Sequence, residues 1–140
     1  MTHLASPNRH AMFESVLVSS KERLARLHAL WGLGQAARRG QREGSGPLDA
    51  KALAMLSQTL TDPDPEVRAN TLRVIGDCKA RNLTQRGALD ASLRDPEARV
   101  RFFAAMAIGQ TGAKESLAAV LEMVRENANK DEYLRHAAVM

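Results

Sequence analysis

The chain has a single cysteine, Cys78, a single tryptophan, and aromatic residues amount to only 4% of its 140 positions. One thiol excludes an internal disulfide and every metal site built from several cysteines. Cys78 stands beside Lys79 just after an expected helix end and reads as a spectator rather than a reactive thiol. The scarcity of aromatic residues, with Ala and Leu dominating the apolar 44%, argues against a β-sandwich and suits closely packed helices. No apolar run approaches the roughly 18–20 residues of a membrane span, so membrane insertion is not expected. The first nine residues lack a basic-then-apolar signal pattern, and the sequence assigns no compartment. His3, His10, His28 and His136 show no zinc-ligand spacing, and neither a His-Glu-x-x-His nor a Gly-x-Gly-x-x-Gly pattern occurs. No Ser/His/Asp or Cys/His set is recognisable. The expectation is a chain that is not an enzyme and takes no cofactor.

What is present is repetition. Ala25-Arg-Leu-His-Ala-Leu-Trp-Gly-Leu-Gly34, Val67-Arg-Ala-Asn-Thr-Leu-Arg-Val-Ile-Gly76 and Val100-Arg-Phe-Phe-Ala-Ala-Met-Ala-Ile-Gly109 share one plan. An Arg (Arg26, Arg68, Arg101) is followed at +3 by a small residue, at +7 by an aliphatic and at +8 by Gly. A shortened copy, Leu134-Arg-His-Ala-Ala-Val-Met140, keeps Arg135 and Ala138 in step. From one Arg to the next the spacing is 42, 33 and 34 residues. Periods of that size mark stacked helical arrays, in which each unit needs a neighbour to bury its apolar face.

Each Arg-bearing segment reads as the second helix of a pair. Asp62 and Asp95 stand six residues before Arg68 and Arg101, each followed by proline. The residue before a proline is pushed out of the α region, so the first helix stops there. The proline and acidic residues beyond suit a new helix N-terminus. Upstream, Leu53, Leu56 and Leu60, then Leu89 and Leu93, then Leu117, Val120, Leu121 and Val124 form apolar stripes at helical spacing. The reading is an all-α solenoid of about four antiparallel helix pairs in a right-handed stack: about 7–18 with 22–37, 48–60 with 64–77, 84–93 with 97–110, and 114–126 with 131–140. The run Arg38 to Gly46, with Arg38, Arg39 and Arg42, is expected to be a loop inserted between the first two repeats. Residues 1–140 form one repeat domain. Met140 falls inside the fourth Arg-bearing helix and no polar capping repeat is evident, so a piece of a longer protein is expected.

The pattern Leu-x-Asp-Pro-x-x-x-Val-Arg-x-x-Ala-x-x-x-Ile-Gly, from Leu93 to Gly109, resembles the HEAT repeat, in particular its short bacterial HEAT-like (PBS-lyase) variety. Leu60 to Gly76 fits with Thr71 where Ala is usual. The likeness covers roughly residues 20–140. It implies an α-solenoid in which the corner Asp and helix Arg form a ladder, placing Asp62, Arg68, Asp95 and Arg101 in structural roles. It does not define function, because the family holds scaffolds, phycobilin lyase subunits and DNA-repair glycosylases. Leu4 to His10, Arg26 to Gly34 and Asp131 to Ala137 are also similar to the HEAT region of large haem-binding dehydrogenase-like proteins of planctomycetes. No Cys-x-x-Cys-His is present to carry a covalent haem.

Counted from the repeated Arg, positions −1, +3 and +7 are expected to face the core, and +2 and +5 the concave side. His28, Asn70 and Phe103 stand at +2, and Trp31, Arg73 and Met106 at +5. Trp, Arg, Phe and Met at spaced positions are the makings of a docking surface. The first reading is therefore a protein or peptide interaction module, or a spacer against neighbouring domains. The rivals are phosphate-backbone binding, suggested by a net charge of +4, and a lyase or glycosylase of the HEAT-like kind.

Overall fold

A computed structural model describes residues 10–44, 48, 50–79, 86–128 and 130–140. Among these residues the chain is all helix: α1 (Ala11–Ser19), α2 (Arg23–Arg42), α3 (Ala50–Thr59), α4 (Pro65–Asp77), α5 (Arg86–Ser92), α6 (Ala98–Thr111), a 3-10 turn (Lys114–Ser116), α7 (Leu117–Asn127) and α8 (Glu132–Val139). They pack as sequential antiparallel pairs, α1 on α2, α3 on α4, α5 on α6 and α7 on α8. The second helices α2, α4, α6 and α8 also pack on one another in order and form a continuous layer. The architecture is that of an α-solenoid.

Local chemistry explains where the helices start. At the α3–α4 corner, Asp64 caps α4 by accepting from the Glu66 N–H at 2.9 Å, and Pro65 fills the first turn, where its missing N–H costs nothing. Asp62 and Asp95 each fold their carboxylate over their corner, accepting from the N–H of Asp64 and of Glu97 at 2.9 Å. Asp131 caps α8 through the Tyr133 and Leu134 N–H groups. Gly112, at φ 70, ends α6 in the left-handed region.

The core follows the repeat. Val67, Val100 and Leu134 at −1, Ala29, Thr71 and Ala104 at +3, and Leu33, Ile75 and Ile108 at +7 are buried. Position +4 (Leu30, Leu72, Ala105) is buried as well, because it faces the next second helix. Thr71 keeps its hydroxyl satisfied on the Val67 carbonyl at 2.8 Å, with Thr59 Oγ1 3.0 Å away.

Two expectations need correction. The basic run at Arg38 is not a loop from its start: α2 continues to Arg42. Its turns are tied down by Arg38 on Asp77 (2.8 Å), Gln41 on the Cys78 carbonyl and Arg39 on Glu43 (2.7 Å). A lone Gly40 does not break a helix held by three such contacts. In α7, the apolar stripe is rotated: Val120 and Met123 are buried, whereas Leu117 and Leu121 stay exposed. α7 packs chiefly against α8 and the turn before it, which leaves one of its apolar flanks open.

Candidate interaction surface on the second helices

Successive residues of a helix are turned by about 100°, so positions −2, +2, +5 and +9 share one face. That face is exposed along α2 and partly buried on α4 and α6. It carries Leu24, His28, Trp31 and Gln35 on α2; Glu66, Asn70, Arg73 and Asp77 on α4; and Arg99, Phe103, Met106 and Gln110 on α6. The equivalent positions of α8 hold Tyr133, which is 69% exposed, and Ala137, which is buried.

The large side chains of this stripe hold one another in place. His28 and Trp31 meet edge to face with ring centroids 5.2 Å apart. The Trp31 indole N–H donates to Asn70 Oδ1 across the α2–α4 junction at 3.0 Å. The Asn70 amide in turn donates to the Glu66 carbonyl at 2.9 Å. Glu66 pairs with Arg99 of α6 at 3.3 Å, and the Arg99 guanidinium lies 5.4 Å from the centre of the Phe103 ring. Phe103 packs edge to face on Phe102. Trp31 remains 44% exposed although its one polar atom is satisfied.

The residues expected on this face therefore divide. His28, Trp31 and Arg73 are exposed; Phe103 and Met106 are half-buried against the core. Asn70 is only 5% exposed and presents no surface to a partner. It is a support for Trp31, placed inward because a short amide fits where two helices meet. The sequence reading missed the −2 row of Leu24, Glu66, Arg99 and Tyr133. Helical spacing alone carries that signal, two turns before each +5 position.

The charged ladder lies beside this stripe. Arg68 grips Asp95 of the next corner with two parallel bonds of 2.8 and 2.9 Å, and reaches back to the Asp62 carbonyl at 2.8 Å. Arg26 bonds Asp62 in the same forward sense. Arg101 donates to the carbonyls of Asp95 at 2.7 Å and Pro96 at 3.0 Å. Six residues before Arg135 stands Asn129, which lies outside the described residues. Burial pushes the Asp64 carboxyl up, but the Arg23 guanidinium at 2.5 Å and the Glu66 N–H outweigh it and hold it below the usual range. The bond to Asp95 raises Arg68 further still.

A profile of HEAT repeats matches residues 53–140, more than half of the chain. The chain belongs to the HEAT-repeat family. No curated protein matches it. The HEAT match covers the repeats α3 to α8 and lends no support to a haem-binding dehydrogenase-like parent. HEAT repeats are commonly protein–protein interaction modules. Other chemistry-bearing groups of this HEAT array are few. Burial pushes the Cys78 thiol up to about 11, with Arg38 opposing it and Asp77 adding to it. No cluster of three or more His, Cys, Asp or Glu side chains placed to hold a metal occurs among the described residues. No helix among them is long and apolar enough to cross a membrane.

Proposed function

We propose that this chain is a polypeptide-docking module with no chemistry of its own, and that its contact surface is the stripe on α2, α4 and α6. The observation that carries this reading is the Trp31–Asn70 junction. A large aromatic face is left open to solvent while its only polar atom is bonded to a buried amide. Such a side chain is already ordered, so a partner that covers it loses little further freedom. Arg99 over the Phe103 ring places a second aromatic side chain on the stripe, on α6.

The carboxylates around this surface favour a structural role over catalysis. Asp62, Asp64, Asp77, Asp95 and Glu66 are each engaged by an arginine. The same pairing weakens the phosphate-binding reading, since Arg38 and Arg39, the start of the basic run, already face Asp77 and Glu43.

A photo-crosslinking residue at exposed Gln35, expressed in the source cell, tests the proposal against one at exposed Gln58 on α3. The expected result is a defined polypeptide trapped from Gln35, not from Gln58, and lost in the Trp31→Ala/Phe103→Ala double variant with its helical content unchanged. Equal trapping from both faces overturns the stripe. Nucleic acid trapped instead, with affinity falling at a log–log salt slope near −0.9 per phosphate, favours the rival.

A further inference from the structure

The stripe's own charges are two and two, Arg73 and Arg99 against Glu66 and Asp77, but Arg38 of α2, outside the stripe, adds a third cation. Arg38 donates to Asp77 at 2.8 Å, while Arg73 reaches the same carboxylate only at 3.9 Å. One carboxylate thus faces two guanidinium groups. Glu66 and Arg99 pair one to one. With Arg38 counted, three cations (Arg38, Arg73, Arg99) meet two anions (Asp77, Glu66), and the spare donors belong to Arg73, whose side chain is 56% exposed. Arg73 is on α4, between Trp31 on α2 and Phe103 on α6.

Building on the docking reading above, we infer that the stripe takes an extended polypeptide segment carrying one carboxylate between two apolar side chains. The carboxylate seats on Arg73, and the apolar groups rest on Trp31 and Phe103. Neighbouring helices lie roughly 8–10 Å apart, so these two anchors are about 16–20 Å apart. An extended chain rising about 3.3 Å per residue covers that span in roughly five to six residues. The acidic residue therefore falls two or three positions from each apolar one. Charge complementarity selects a polypeptide over a nucleic acid. A strand with a phosphate at every nucleotide brings several anions to a surface with one uncompensated cation, and sets them against Asp77 and Glu66.

The test uses the full 140-residue chain and a synthetic peptide, acetyl-Ser-Leu-Ser-Ser-Glu-Ser-Ser-Leu-Ser-amide, with versions carrying Gln or Lys in place of Glu. Trp31 is the only tryptophan, so its fluorescence reports binding directly at the stripe. The expected result is a Glu peptide that binds at least tenfold more tightly than the Lys peptide. Arg73→Gln abolishes that preference, Arg73→Glu reverses it, and Phe103→Ala weakens the Glu peptide at least tenfold. Circular dichroism confirms that each variant keeps the parent's helical content. Peptides that bind alike, or fail to bind, overturn the inference, as does an oligothymidylate that binds more tightly than the Glu peptide. A polypeptide trapped at Gln35 together with indifferent peptides leaves the docking reading standing and removes only this one.

Discussion

The same residue at the same repeat position has different work at different places in the stack. Gly76 and Gly109 both stand eight residues after the repeated Arg. A Cβ at Gly76 would meet the Cα of Ala107 on α6 at 3.1 Å, whereas one at Gly109 would meet, among the described residues, the Met140 backbone at 3.7 Å. Glycine within a helix costs about 0.5–1 kcal/mol relative to alanine. Gly109→Ala is therefore expected to stabilise the chain by about that amount. Gly76→Val, overpacking a helix crossing, should destabilise it by roughly 1–3 kcal/mol. Urea unfolding of the two variants checks both signs. The glycines were visible in the sequence as a recurring position eight residues after the repeated Arg. Only the neighbours distinguish them: Gly34, in the middle of α2, lies against Val74, and Gly32 lies under the Phe13 ring.

At the scale of the helix, the Asp-Pro corners were legible because proline and a capping carboxylate act within a few residues of themselves. The α4 start adds something the sequence did not disclose, an Arg23–Asp64 pair reaching from α2. The folded Asp64 carboxyl is held below its ordinary value. Its stabilisation is accordingly full above the unfolded pKa near 3.9 and is lost as pH falls through the lower folded value. Asp64→Asn keeps a capping oxygen and removes the charge. It should cost roughly 0.5–1 kcal/mol at pH 7, and the gap between variant and parent should close below about pH 4. Thermal melts of the two proteins across pH 2–7 measure this, and a gap that is constant over the range contradicts it.

Across the whole molecule, the ladder ties each repeat to the next as well as closing its own corner. Arg68 and Asp95 are mostly buried and doubly bonded, and belong to adjacent pairs. Arg68→Ala leaves the Asp95 carboxylate without its partner and should destabilise the array by about 2–4 kcal/mol. A double-mutant cycle with Asp95→Asn should recover a large part of that loss as coupling energy, read from urea unfolding. Peptide or partner binding at the stripe should survive in the fraction that remains folded. Loss of binding in a folded Arg68→Ala chain would move Arg68 into the docking surface.

Composition and period were sufficient to settle that the chain is an all-α array, since the helical stripes, the Arg-to-Arg spacing and the Asp-Pro corners are short-range or periodic signals. The core at −1, +3 and +7 follows from helix geometry for the same reason. Three features depend on which helix lies beside which. Asn70 turned inward to hold Trp31 because α2 crosses α4 there. The run at Arg38 stayed helical because Asp77 and the Cys78 carbonyl of α4 stand opposite it. Arg73 was left as the spare cation because Arg38, from another helix, had already taken Asp77. Periodicity records which face a side chain occupies; charge balance and burial depend on what the neighbouring face brings, and that contact exists only in the folded stack.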